Sequence, residues 1–353
     1  MTDRAGGRNK REDERPSVFY DRGTLLYYYS YMSSNLSDKL APFFERFIDL
    51  QQEGVKGVLY IESGKPGPVL GITACTHGNE PVGLELFRRL IDELGIEKML
   101  VSGTLYLVVN NIKAAKAFFA AQTAEERRKA RYSDVNMNRL PEDVLRRVDD
   151  SRYEIQRTHE LYPIWKRFTH ALDIHSTTMP TEPMIISRGK AFYPELVHGF
   201  PIDTLVTNID SVQMGIPAFA LYGGYKNDVP VFAIEAGQHA ETDTAQRAQD
   251  CAVSLLKNLR MIPGSPAAEA REYKEYEITG SIMFPSVSFD LVRDFKTYDV
   301  MRQGDLLAES IDGRGIRAPF DGHLIMPTER RGADKDITEE VTFLSRPMNI
   351  RKA

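Results

Sequence analysis

The chain has 353 residues, room for two domains with their own cores, and its 42% apolar and 27% charged content is that of an ordinary globular protein. A net charge of −5 without a basic block argues against nucleic-acid binding, and no uninterrupted apolar run approaches the roughly 18 residues that a membrane helix needs. Two cysteines, Cys75 and Cys251, are too few for a disulfide framework, which makes a reducing, cytoplasmic setting the default expectation.

Residues 1–20 are polar and charged with no apolar segment, so a disordered lead-in is expected there rather than a secretory signal. The Tyr-rich run at 25–32 reads as core or cleft lining, with a homo-oligomer interface as the lesser option. Leu40, Phe43, Phe44, Phe47 and Ile48 recur at helical spacing and predict a helix over 37–52. Two strands, 55–61 and 69–73, then flank a Gly- and Pro-rich turn at 63–68 and are expected to pair as a hairpin. After the sequence Cys75-Thr76-His77-Gly78-Asn79-Glu80, Pro81 opens a helix whose stripe of Leu84, Phe87, Leu90, Ile91 and Leu94 ends at Gly95. Further strands are expected at 104–109, 171–174, 184–186 and 231–234, and helices at 114–120, across most of 143–168, and at 242–259. Strands alternating with helices predict an α/β sheet covered on both faces, in a domain spanning 21–262. Breakers at 261–266 separate it from short strands and Gly turns that predict a smaller β domain at 270–353.

Several polar residues fall at the carboxyl ends of these strands, where open α/β sheets place ligands. His77 and Glu80 lie three apart at such an end, so an imidazole nitrogen and a carboxylate oxygen can converge on one cation. His175 emerges from a strand in Asp173-Ile174-His175-Ser176-Thr177-Thr178, with Asp173 placed to orient it; a buried histidine bonded to Asp173 alone is the competing reading. In Arg131-Tyr132-Ser133-Asp134-Val135-Asn136-Met137-Asn138-Arg139, two arginines and an amide can grip a carboxylate and stabilise an oxyanion. The competing use of those arginines is surface pairing with Asp134, Glu142 or Asp143. Glu235 ends an apolar run, where desolvation raises a carboxyl pKa towards a useful general-base value unless an arginine or lysine pairs with it. His239 is expected to cap the following helix rather than line a pocket, and Asn110 and Asn111 either line the cleft or cap a helix.

Taken in order, His77-x-x-Glu80, Arg131, Asn138-Arg139, His175 within Asp-Ile-His-Ser-Thr-Thr, and Glu235 ahead of Ala-Gly resemble the succinylglutamate desuccinylase/aspartoacylase family of the zinc carboxypeptidase superfamily. The resemblance covers the chain from about residue 56 to the end. It implies a mixed sheet flanked by helices, with the smaller C-terminal β domain narrowing the cleft. It further implies a Zn2+ held by His77, Glu80 and His175, with Glu235 as general base, Arg131 as oxyanion stabiliser, and Asn138 and Arg139 as the substrate-carboxylate clamp. The implied activity is that of a zinc-dependent amidohydrolase, a deacylase acting on a small N-acyl amino acid. Departures fall on substrate selectivity: Tyr225, with Lys226 beside it, stands where aspartoacylases carry a side-chain-gripping arginine, Ser176 where they have Asn, and Asn136 where the family often has Asp. A metallocarboxypeptidase or peptide amidase acting on short peptides would use the same ligands. A non-catalytic ligand-binding module that keeps the fold is the remaining alternative.

Overall fold

The most apolar runs of the chain become the middle of one sheet. The computed structural model describes residues 39–265, 271–328 and 337–352. The expected lead-in at 1–20 and the apolar run at 25–32 lie outside the described residues. Helix α1 (39–48) buries Leu40, Phe43, Phe44, Phe47 and Ile48. It ends before residue 52, because Gln51–Gln52 (β1) and Val55–Lys56 (β2) pair across Glu53 and Gly54, both at positive φ. Gly57, at φ +68, divides β2 from Val58–Glu62 (β3), so the single strand expected at 55–61 is broken.

The expected hairpin between β3 and Val69–Ala74 (β4) does not form. The chain leaves β4 through Val82–Arg88 (α2), a π turn at Arg89–Glu93 and Ile96–Met99 (α3), then returns as Thr104–Val109 (β5). β5 takes the slot between the two, parallel to β4 and antiparallel to β3. A turn sequence permits reversal without requiring that the flanking strands touch, and a βαβ crossover supplies the neighbour that the buried β4 needs. Ile112–Ala120 (α4), Ala124–Lys129 (α5) and Tyr153–Trp165 (α6) follow. The helix expected through 143–168 is split: Val144–Arg146 is a 3-10 turn, and Arg152 is extended, its N–H donated to Asp150 Oδ1 at 3.1 Å.

His170–Thr177 (β6), Met184–Ser187 (β7), the short helix Pro194–Val197 (α7), the unexpected strand Thr204–Thr207 (β8), Val231–Gln238 (β9) and Thr244–Asn258 (α8) complete this part. Thereafter come Glu272–Ile282 (β10), Phe289–Leu291 (β11), Val300–Met301 (β12), Leu306–Ser310 (β13), Gly315–Arg317 (β14), Gly322–Ile325 (β15), Thr342–Ser345 (β16) and Asn349–Lys352 (β17). The main sheet is mixed, in the order β12-β15-β16-β10-β8-β7-β9-β6-β4-β5-β3-β1-β2, with β17 also paired to β10. A separate antiparallel sheet has the order β11-β13-β14. The long β10 runs parallel to β8 over 274–277 and antiparallel to β16 over 278–282, so hydrogen bonding continues from one set of strands into the other. No helix among the described residues is long and apolar enough to cross a membrane.

Alternation along β6 and β9 sets the site. Leu172, Ile174, Phe232 and Ile234 face a core with Phe44, Phe47, Phe87 and Leu255, while Ala171, Val231 and Ala233 face Trp165, Phe168 and Tyr222 on the other side. Period-two geometry then puts Asp173 and His175 on the Ala171 face and Glu235 on the Ala233 face. His175 and Glu235 are registered opposite each other on parallel neighbours. Close approach is also built into β4, where a Cβ on Gly71 would lie 2.1 Å from the Phe168 ring. Gly71→Ala is therefore expected to cost roughly 1–3 kcal/mol through overpacking, read from urea unfolding, with part of the loss recovered in Gly71→Ala/Phe168→Leu. An unaltered midpoint would show that the ring has room to yield.

Candidate metal centre

β4 stops at Ala74 because Cys75 takes a positive φ of +52, turning the chain across the strand end. Gly78 sits so close to its neighbours that a Cβ would lie 2.3 Å from the Ala114 carbonyl carbon and 2.5 Å from the Ala130 oxygen. Its N–H donates to Arg131 O at 2.9 Å, tying this corner to the following loop. The corner turns His77 and Glu80 inward. His77 Nδ1 lies 2.7 Å from Glu80 Oε1, and β6 brings His175 Nδ1 to 2.7 Å from Glu80 Oε2. All three residues are 3% exposed, and their candidate ligand atoms lie within 4.8 Å of one another.

The outer ring nitrogens decide the chemistry of this group. His77 Nε2 is 3.0 Å from Asn136 Oδ1, and His175 Nε2 is 3.1 Å from Asp173 Oδ2. Both outer partners are acceptors, so a ring proton on each Nε2 is satisfied there, and each Nδ1 can then turn its lone pair to a cation shared with Glu80. Two Nδ1 atoms and two carboxylate oxygens converging in a buried cluster make a donor set that fits a divalent cation. Asp173 is itself held: its Oδ1 accepts from Thr73 Oγ1 at 2.6 Å and Thr76 Oγ1 at 3.1 Å. Asn110 Nδ2 donates to Thr76 Oγ1 and to Tyr222 OH, both at 2.8 Å, and Tyr222 OH donates to Thr73 Oγ1 at 3.1 Å. Asn110 thus belongs to the network behind the ligands, whereas Asn111 caps α4, its Oδ1 accepting Ala114 N–H at 3.0 Å.

Electrostatics follow from these contacts. Burial opposes ionisation of Glu80, yet the two imidazoles and their hydrogen bonds outweigh it and hold the carboxyl well below its ordinary pKa. Burial also opposes charge on His175, but Asp173 and Glu80 prevail and raise it well above the usual imidazole value. For His77 burial, followed by the Arg131 charge, pushes the pKa down. Glu235 is pushed up to about 8, first by burial and then by the charge of Glu80. Its Oε2 is buried without a hydrogen-bond partner among the described residues, so the structural alternative of an arginine or lysine partner finds no support there.

Arg131 extends Nη1 to 3.0 Å from Glu80 Oε1, beside the cluster. The structure therefore brings His77, Glu80, His175, Arg131 and Glu235 together. Asn138 has a buried Oδ1 with no partner among the described residues. Arg139 is already engaged: its Nε lies 2.7 Å from Glu340 Oε2, whose side chain is fully buried. Neither Glu142 nor Asp143 is that partner. Next to it, Glu339 Oε1 accepts from Asn136 Nδ2 at 2.8 Å. His239 is not a helix cap: its ring stands between Ser176 Oγ at 2.8 Å and Thr178 Oγ1 at 3.3 Å, and burial pushes its pKa down to about 4. Tyr225 and Lys226 lie in an exposed turn, with Lys226 Nζ 5.2 Å from the Tyr225 ring centre.

Residues 66–194 match the succinylglutamate desuccinylase/aspartoacylase catalytic domain. That segment is similar to a catalytic domain of this family. The match includes His77, Glu80, Arg131, Asn138, Arg139 and His175, and Glu235 lies beyond it. A succinylglutamate desuccinylase of Idiomarina loihiensis is 24% identical over 305 residues, covering 78% of this chain and 82% of that protein. Murine aminoacylase 3 has a similar fold, with a TM-score of 0.57 at 20% identity over 82% of this chain and 97% of its own. Succinylglutamate desuccinylase of Vibrio cholerae gives a TM-score of 0.59 at 15% identity, covering 85% of this chain and 90% of the other. The family match and the desuccinylase relative support a deacylase-type hydrolase.

The buried Asp173 charge is the larger of the two that raise His175, so removing it has a definite sign. In the metal-free protein, Asp173→Asn is expected to lower the His175 imidazole pKa, as followed by NMR titration of the ring. An unmoved or raised value would mean that Asp173 does not act on that ring.

Proposed function

We propose that the protein is a zinc-dependent deacylase that hydrolyses the acyl–amide bond of a small N-acyl amino acid. One observation carries this reading: His77 Nδ1, His175 Nδ1 and the Glu80 carboxylate converge, and on the next strand, opposite His175, Glu235 presents an Oε2 without a hydrogen-bond partner among the described residues. Two imidazoles with one carboxylate suit zinc, and a catalytic zinc with three protein ligands keeps a position open. The ion, when bound, supplies Lewis acidity that polarises a carbonyl and brings the pKa of water down to about 7.

The chain's own groups then divide the remaining work. Glu235 takes a proton from the attacking water as the new C–O bond forms at the acyl carbon. It returns that proton to the nitrogen as the C–N bond breaks, which leaves a carboxylic acid and a free amine. A carboxyl shifted upward by burial is suited to both transfers, because its affinity for the proton lies near working pH. Arg131, anchored through Nη1 to Glu80, is placed to steady negative charge growing on the carbonyl oxygen. Asn138 and Arg139 are assigned to the substrate's α-carboxylate, converting binding into orientation.

The Arg139–Glu340 ion pair favours a second assignment for Arg139 alone, as an anchor for the segment carrying Glu340. If Arg139 instead holds substrate, the substrate carboxylate must compete with Glu340. In that case Glu340→Gln is expected to lower KM for N-acyl amino acids with kcat unchanged, in steady-state assays. A KM that stays level or rises would make Arg139 an anchor.

Glu235→Gln is expected to keep its zinc, by elemental analysis of the purified protein, and to lose roughly 10²-fold or more in kcat. His175→Ala should lose zinc and activity together. Full turnover in the first variant, or full zinc occupancy in the second, contradicts the assignment. Assaying N-acetyl, N-formyl and N-succinyl amino acids beside short peptides separates a deacylase from a peptidase.

A further inference from the structure

We infer that Glu154 is the positioning residue of this centre, setting the metal ligands through the loop at 131–139 without touching substrate. The inference rests on the metal-site reading above.

Glu154 lies in the first turn of α6 and is 0% exposed. A buried carboxylate is costly unless its oxygens are satisfied. Here Oε1 accepts Ser133 N–H at 2.6 Å and Asn111 Nδ2 at 3.0 Å, and Oε2 accepts Asp134 N–H and Val135 N–H, each at 3.0 Å. Three consecutive backbone amides thus converge on one side chain, an arrangement that specifies a loop conformation and not merely a location. The tie is returned: Asp134 Oδ2 accepts Tyr153 N–H at 2.9 Å, at the start of the same helix.

Both ends of the pinned loop reach the ligands. On one side Arg131 O accepts Gly78 N–H at 2.9 Å and Arg131 Nη1 meets Glu80 Oε1 at 3.0 Å. On the other, Asn136 Oδ1 meets His77 Nε2 at 3.0 Å while accepting Asn138 N–H at 2.8 Å. One carboxylate therefore fixes the tautomer and direction of His77 and the guanidinium beside Glu80. Without it three amides lose their acceptor, and any relaxation that satisfies them with water moves both contacts.

The full chain is tested with zinc alone, so that no substrate need be known. Glu154→Gln replaces one acceptor oxygen by an amide that faces N–H donors. Amide hydrogen exchange across 131–139 should rise sharply, and zinc affinity, measured by competition with a chromophoric chelator, should weaken about tenfold or more, as for other groups that orient a ligand. Asn136→Ala should weaken zinc similarly while leaving the amides of 133–135 protected, and the double variant should lose no more than the worse single one. Unchanged exchange in Glu154→Gln, or a freed loop with undiminished zinc affinity, overturns the proposal. If Glu154→Gln does not fold, the native protein still decides: fast exchange of amides 133–135 would contradict a pinned loop. A native chain that binds no zinc would defeat the metal reading, while the exchange result stands separately.

Discussion

A carboxylate clamped between two imidazole nitrogens in the dry interior is the constraint around which this molecule is arranged. Glu80 sits 2.7 Å from His77 Nδ1 and from His175 Nδ1, and burial would drive its proton on were there no positive charge to share. Such a cluster is unstable in isolation. It persists because each imidazole is held from behind by an acceptor, Asn136 for one ring and Asp173 for the other.

The two supports are built differently. Asp173 is part of the sheet, on the same strand as His175, and is held by hydroxyls of Thr73 and Thr76 that Asn110 and Tyr222 secure in turn. Asn136 belongs to a loop with no sheet to stiffen it, so its position has to come from elsewhere: the carboxylate of Glu154 gathers the neighbouring amides, and Glu339 takes the Asn136 side-chain amide. Rigidity on one side is inherited from backbone pairing, and on the other it is assembled from side chains. Glu235 contrasts with both. Its Oε2 has no partner among the described residues, which leaves a proton-accepting atom facing the charged group.

The C-terminal segment contacts the side of the site assigned to substrate. Glu339 and Glu340 come from strand-rich sequence more than two hundred residues after the loop they contact, as the 203- and 201-residue separations of those pairs record. Arg139 is thereby neutralised by the chain itself. A basic residue that the family resemblance cast as a substrate clamp is, once folded, one half of a part-buried ion pair.

Local pattern alone determined a good deal about this protein. Apolar runs marked most of the strands up to β9, and the three-residue step from His77 to Glu80 at a strand end permitted convergence on one cation. The isolated acidic residue Glu235, closing the apolar run at 231–234, was equally visible, since burial of a charge needs a reason. What only the tertiary structure decided were the relations that no spacing encodes. β5 entered between β3 and β4 because a crossover, not a turn, supplied the neighbour that β4 required. His239 turned towards Ser176 and Thr178 instead of capping a helix. Local pattern singled out neither Glu154 nor Glu340, whose donors were brought to them only by folding. Hydrogen bonds and ion pairs between distant segments depend on which surfaces meet, and that is settled by packing of the whole sheet rather than by any window of sequence.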